Sequence, residues 1–391
     1  MYSPTPVTCI DDLRLLAKRR VPRMLYDYVD SGSWSQITYR ANETDFHSIR
    51  LRQRVGRDVE NRSTATTILG MPFSMPVAIA PTGVAGFLYP DGEMAAARAA
   101  AACGVAYGQS ILSTCSVEAV RSASPGEIWL QVSVMKDWSI LEHQIRRARE
   151  AQCSALILTI DFHIEGQRHV NIKNGLAIPP PMTPSAIADF VGHPRWLLSM
   201  LRARHRDFGN FTGSVKEVKD LRSFARWYAT EPYQLDLRWD VLQRVRDMWP
   251  GKLIIKGVLD PEDAREAVRI GADAISVSNL GGRQMDSAPS SIEALPYIAE
   301  AVGSQIEVLL DGGIRTGQDI LKAVASGAKG VMVGRAALYG LAADGEKGVK
   351  TALDILHKEL DRTMASCGIT SIDQATRDIL WRPRQSEDLE P

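Results

Sequence analysis

Several features that would sort a chain quickly are missing from this one. Net charge is absent: 46 lysines and arginines balance 46 acids. No block of like charges interrupts the sequence, which excludes the broad basic footprint of a nucleic-acid binder. Paired cysteines are absent too. Cys9, Cys103, Cys115, Cys153 and Cys367 are odd in number and none forms a C-x-x-C pair, so neither a disulfide framework nor a metal knuckle is expected. No apolar run reaches the length of a membrane span, and the N-terminus carries no apolar signal stretch. These absences lead us to expect a cytoplasmic, reduced protein without membrane or nucleic-acid partners. What remains is 391 residues, 45% apolar and 24% charged, an ordinary globular composition with ample length for a core.

From Met75 onward short apolar runs alternate with longer amphipathic ones. The apolar runs are Val77–Pro81, Val105–Ser110, Ile128–Val134, Ala155–Ile160, Leu253–Lys256, Ala274–Val277, Val308–Leu310 and Gly330–Val333. None alternates cleanly in and out, which suits parallel strands covered on both faces. Helix formers fill Gly92–Ala102, Val117–Ala123, Ile140–Ala151, Pro261–Ile270, Ile292–Ala301, Gln318–Ser326 and Gly345–Arg362. Eight such units predict a closed (β/α)8 barrel of the α/β class. A doubly wound sheet would need G-x-G-x-x-G after the first strand, and Ala80-Pro81-Thr82-Gly83 does not supply it. We read one domain over 1–391: an N-terminal cap (1–74) opening with two helices, around Asp11–Ala17 and from Pro22 to Ser31-Gly32; a barrel (75–350); and a C-terminal helix and tail (351–391).

Roughly ninety residues separate strands four and five, and loops of that length inside a domain are lids or binding elements. Pro179-Pro180-Pro181 ends one piece of it, and Ala186–Ala203 reads as an apolar-faced helix flanked by Arg195, Arg202, Arg204 and Arg206. The insertion (175–250) is expected to be an active-site lid; a membrane or partner patch is the other reading of the same pattern.

The strongest local signal lies after strands seven and eight, where Asp311-Gly312-Gly313-Ile314-Arg315 and Gly334-Arg335 stand. Glycine lets backbone N–H groups approach an anion and arginine adds a bidentate contact, in the two loops where barrels bind phosphate. Lys256 closes apolar strand five and needs an anionic partner, either a flavin edge or a neighbouring acid. Gln131 and Thr159, at strand mouths, can hydrogen-bond the edge of a flat heterocycle.

Together these residues resemble the FMN-dependent α-hydroxy-acid oxidases and dehydrogenases. The likeness runs from Val21-Pro22-Arg23-Met24-Leu25-Tyr26-Asp27-Tyr28 and Ser31-Gly32 through Met75–Thr82, Thr159-Ile160-Asp161 with Gly166 and Arg168, to Ser278–Asp286 and both phosphate loops. The resemblance implies FMN as cofactor, a small carboxylate substrate and a homotetramer. It implies that Pro81, Thr82 and Gly83 pass beside the flavin. Ser110, Gln131, Thr159, Lys256 and Ser278 would hold the ring; Asp311, Gly313, Arg315, Gly334 and Arg335 would hold ribityl and phosphate. Tyr28, Arg168 and Arg283 would bind the substrate carboxylate, with Tyr28, Lys256 and Arg283 also serving catalysis.

The departures from the family pattern fall on one wall. The family's Ser-Asn-His-Gly reads Ser278-Asn279-Leu280-Gly281 here, so the catalytic histidine is a leucine. The strand-three tyrosine is Ser133, a tryptophan after strand two is Leu112, and the proline two positions past Asp161 is His163. Leucine neither titrates nor accepts a hydrogen bond. Ser133 and Leu280 therefore join the substrate pocket, while Asp161 or His163 stands as the candidate base; a 2-amino acid with a neutral nitrogen would need none. The alternative is a non-redox or catalytically degenerate FMN barrel. A flavin-free phosphate barrel of the inosine-monophosphate dehydrogenase type ranks last, because no cysteine sits in a matching loop.

Overall fold

The computed structural model describes residues 6–175, 183–230 and 232–381. Pro179, Pro180 and Pro181, read above as ending one piece of the long connection, lie outside them, as does the tail beyond 381. Eight parallel strands close into a barrel: Val77–Thr82, Ala106–Gln109, Ile128–Val132, Ala155–Thr159, Lys252–Val258, Ala274–Val277, Glu307–Asp311 and Gly330–Val333. The last returns to the first through Val331 opposite Val77. The eight-unit rhythm and the closed barrel agree strand for strand. On strand four every residue from Ala155 to Thr159 is buried, because side chains fill the interior while helices cover the outside. That double burial is why these strands showed no alternation.

The helices at Gly92–Ala102 and Val117–Ala123 occupy the runs read from sequence. The final one differs. Helix Arg335–Cys367 is broken at Asp344 and Gly345, whose backbone angles are non-helical. The sequence pattern found the part after the break and missed the short helix before it, whose N-terminus follows strand eight.

The cap contains the two expected helices, Ile10–Arg20 and Arg23–Val29, and a third, Ile37–Ser48, where we had named none. Asp30 pins them to the barrel. Its carboxylate accepts from Tyr26 (2.6 Å), Tyr39 (3.1 Å), Tyr339 (2.6 Å) and Arg14 (3.0 Å). The Val29–Ser31 backbone is thereby held at the barrel mouth.

The long connection holds helices Pro184–Gly192 and Pro194–Met200 rather than one continuous helix. His193 between them is forced out of the helical region by the proline that follows it. Helix Trp239–Met248 buries Leu242 and Val245 and leads directly into strand five. It is the barrel's own fourth helix, so the inserted part ends earlier than residue 250. Two contacts seat the insertion on the first βα loop: the Trp196 indole donates to the Phe87 carbonyl (3.0 Å), and Asp91 accepts the backbone N–H groups of Arg204 and His205 (3.1 Å each). No described helix is long and apolar enough to cross a membrane.

Candidate active site

At the C-terminal ends of the strands lies a cavity of about 760 Å³, a size that accommodates a cofactor-sized ligand. Its walls include Pro81, Thr82 and Gly83 from strand one, Ser110 after strand two, Gln131 and Ser133, Thr159, and Lys256. Residues from the ends of five strands converge here because a barrel aims every strand end at one mouth. Ser110 donates to Gln131 Oε1 (3.2 Å), which also accepts the Ile111 N–H, and Gln131 Nε2 donates to Ser133 (3.1 Å). These buried polar edges therefore form one connected rim.

Lys256 is 3% exposed. Its ammonium donates to Ser278 (2.7 Å) and lies 2.7 Å from Asp311 Oδ2, while Ser278 donates to Asp311 Oδ1 (2.7 Å). The acidic partner expected from sequence is in place as Asp311. Burying a charge this deeply requires such a partner.

The two glycine–arginine loops form another part of the wall. Gly313 has φ +80°, and a Cβ there would lie 1.7 Å from the Asn42 carbonyl oxygen. Only glycine fits between strand seven and the cap's third helix. Asn42 and Asn279 exchange amide hydrogen bonds (2.8 and 2.9 Å), locking that helix to the strand-six loop. Gly334 precedes the helix starting at Arg335, and a Cβ there would meet nothing closer than a Thr82 methyl at 3.6 Å. Backbone N–H groups at a helix start favour an anion. Arg335 donates to the carbonyls of Val29, Gly281 and Ser31 (2.8–2.9 Å), leaving two of its five N–H groups free. Arg315 pairs with Glu43 (2.7 Å). Neither presents the open fork that the sequence suggested; what they add is fixed positive charge.

Tyr28, Arg168 and Arg283 also line the cavity. The Arg283 guanidinium stacks 4.6 Å over the Tyr28 ring and donates to the carbonyls of Tyr28 and Ser31. Burial, then the like charge of Arg168, push Arg283 down to about 9. The Arg168 Nε is sealed from solvent with no hydrogen-bond partner among the described residues. Two guanidiniums held this way create a local demand for an anion.

Comparison with known proteins agrees with this geometry. The model of a family described as FMN-dependent dehydrogenase matches residues 17–382. An L-lactate dehydrogenase of Pseudomonas syringae is 40% identical over 375 residues, spanning 96% of this chain and 98% of its own.

The chain belongs to the FMN-dependent dehydrogenase family.

An L-lactate dehydrogenase of Azorhizobium caulinodans is 42% identical over 371 residues, covering 95% of this chain and 97% of its own. Among solved structures, a monotopic membrane protein, (S)-mandelate dehydrogenase, superposes with a TM-score of 0.92 at 34% identity, covering 97% of this chain and all of its own. A soluble mutant of the membrane-associated (S)-mandelate dehydrogenase from Pseudomonas putida superposes with a TM-score of 0.82, also at 34% identity.

FMN is the cofactor of this family member, and the site fits it on three counts. The Gly334–Arg335 turn leaves room and backbone donors for a phosphate. The Ser110–Gln131 rim suits a ring edge, and buried Lys256 offers a charge close to it.

The positions read as departures from the family resemblance have distinct surroundings. Leu280 lines the cavity with φ +52°, a left-handed backbone that costs a leucine about 1–2 kcal/mol and that histidine adopts more readily. Asp161 keeps both carboxylate oxygens sealed from solvent without a hydrogen-bond partner among the described residues. Its side chain lies where a Cβ on Gly257 would stand, 2.6 Å from Asp161 Cγ; Gly257, with φ +106°, must be glycine for this reason. Burial raises the Asp161 carboxyl to about 6, with Lys256 opposing and Asp311 assisting. The second candidate base, His163, is not brought to the site. Like Asp161 it is absent from the cavity wall, but its Nδ1 is also engaged, facing the Ile160 carbonyl at 3.1 Å. Past strand four the chain bends, so the two-residue alternation that would pair His163 with Asp161 does not continue.

Sequence reasoning missed Asn42, Gly257 and most of the insertion's aromatic wall, where Phe190, Phe208 and Tyr233 join Trp196 of the expected lid helix. Phe190 and Trp196 stack at 5.6 Å. Gly257 carried a signal, a glycine ending a β-rich run; the others depend on contacts made far along the chain.

Proposed function

We propose that this chain oxidises a 2-hydroxy acid carrying an aryl or other large apolar substituent, with FMN as electron acceptor. The observation carrying this reading is the enclosed Arg168–Arg283 pair, whose mutual repulsion a bound carboxylate relieves. The aromatic insertion wall favours a large substituent over a methyl group. Relatives named L-lactate dehydrogenase and (S)-mandelate dehydrogenase span that range of substituents.

Bound FMN supplies the two-electron acceptance. The protein's part is to bind and orient the acid through Arg168, Arg283 and Tyr28, to exclude water with the insertion, and to accept the hydroxyl proton. Leu280 cannot accept it. Asp161 stands behind the cavity-lining residues rather than among them, and we assign it as the acceptor because its carboxyl, held at about 6, is ionised at neutral pH. Leu280 also favours one second substrate class, a 2-amino acid, whose neutral nitrogen needs no protein base. Anaerobic titration of the FMN-loaded protein tests the reading. An aryl 2-hydroxy acid is expected to bleach the flavin and its methyl ester to fail; equal bleaching by acid and ester would refute the carboxylate clamp, and bleaching by the amino acid alone would move the assignment to amine oxidation.

A second proposal concerns location. Val191, Leu198 and Leu201 are 62–66% exposed, and Arg195, Arg202, Arg204 and Arg206, close to them in sequence, are exposed as well. Exposed apolar side chains with arginines close by in sequence suit an anionic bilayer surface, and the (S)-mandelate dehydrogenase is described as monotopic. We therefore place the insertion's inner face on the cavity and its outer face on the membrane, in place of the free cytoplasmic protein expected from composition. Co-sedimentation with anionic vesicles, lost in a Leu198→Ser/Leu201→Ser variant, is the expected result.

A further inference from the structure

We infer that Tyr233, carried in by the insertion, donates the hydrogen bond that holds the substrate's C2 oxygen, at the wall where strand three offers only Ser133. The inference rests on the carboxylate-substrate reading above. Three observations place the phenol there.

First, the backbone docks it. Tyr233 forms an antiparallel bridge with Met135, two residues beyond Ser133. The Lys136 N–H donates to the Pro232 carbonyl (2.8 Å) and the Gln234 N–H to the Val134 carbonyl (3.1 Å). The segment thus continues strand three's edge into the site. Second, the ring is fixed. Tyr233 is 7% exposed and lines the same cavity as Tyr28, Ser133 and Arg283. Phe162 packs edge-on at 5.4 Å and Tyr228 at 5.9 Å. Third, of the neighbouring hydroxyls, Tyr228 already donates to Glu165 (3.1 Å), while Ser133, which accepts from Gln131 Nε2, keeps its proton but carries it on a much shorter side chain.

Burial holds the Tyr233 phenol far above its ordinary range, with the Glu165 carboxylate adding to this against the neighbouring Tyr228 hydroxyl. It is therefore a neutral O–H donor throughout the working pH range. A neutral donor suits an oxygen that changes from hydroxyl to carbonyl, because it stabilises the growing negative charge without giving up its proton. No bond in the phenol is broken. Tyr233 acts as a positioning donor, and it replaces from the insertion the tyrosine missing from strand three.

Equilibrium binding tests this without turnover. The FMN-loaded protein is titrated calorimetrically with 2-hydroxy-2-phenylpropanoate, which has no α-hydrogen to lose, and with 2-phenylpropanoate, which lacks the hydroxyl. Tyr233→Phe keeps the ring packing. It is expected to lose about tenfold in affinity for the hydroxy acid and nothing for the deoxy acid. Ser133→Tyr added to Tyr233→Phe is expected to restore the preference, and Tyr228→Phe to leave it intact. Equal losses for both ligands would show a merely structural tyrosine and overturn the inference, as would no loss for either. If the unmodified protein binds neither acid, the carboxylate reading itself fails and takes the inference with it.

Discussion

Asp161→Asn should stabilise the protein at pH 8 and leave it unchanged at pH 4. The Asp161 carboxyl is dry, without a hydrogen-bond partner among the described residues, and raised to about 6 from an ordinary value near 4. A carboxyl whose pKa rises on folding binds its proton more tightly in the native state. Stability then falls as pH climbs from about 4 to 6, and the loss is complete above 6. At about 1.4 kcal/mol per pH unit, the buried charge costs about 3 kcal/mol at pH 8. Asparagine matches the protonated acid in shape and never ionises, so the variant should be about 3 kcal/mol more stable than the parent at pH 8. Urea unfolding of both proteins without flavin, at pH 4, 5, 6 and 8, measures the difference. A gap that does not grow with pH, or an asparagine variant less stable at pH 8, would refute the claim that this carboxylate is buried and unpaired.

Other expectations follow from the same geometry. Leu280→His places a titratable acceptor on a backbone that suits histidine better than leucine; flavin reduction by an aryl 2-hydroxy acid should accelerate about a hundredfold or more, and stopped-flow absorbance reads it. Arg168→Met should raise KM for acids by about a hundredfold while leaving thermal stability unchanged or improved, since it removes one of two repelling charges; calorimetric melting and steady-state kinetics separate the two effects. Gly313→Ala drives a Cβ into the Asn42 carbonyl and should cost about 3 kcal/mol or more, with loss of FMN retention on gel filtration.

The barrel was legible in sequence because each strand and helix is a local pattern repeated eight times. The glycine–arginine loops were legible for the same reason, being short and contiguous. Other features depend on chain far away. Asn42 matters because the cap's third helix meets the strand-six loop, 237 residues on. Tyr233 matters because the insertion pairs with Met135, and nothing in residues 230–236 announces it. Arg335 has the sequence context of an open phosphate fork, whereas the Val29 and Ser31 carbonyls, on chain pinned by Asp30, occupy it. His163 stays out of the site because the strand ends at Thr159 and its two-residue alternation goes no further. The break between Gly192 and Pro194 was visible in the proline and was overridden by the apolar spacing around it.

The central claim is a carboxylate-selective FMN oxidoreductase whose proton acceptor is Asp161 in place of the family's histidine. Single-turnover flavin reduction by an aryl 2-hydroxy acid, followed anaerobically against pH, tests it most directly. The rate should rise as pH passes through about 6, where Asp161 ionises, then level off, and Asp161→Asn should abolish the rise. A flavin that stays oxidised at every pH, or a rising profile unchanged by Asp161→Asn, would contradict it.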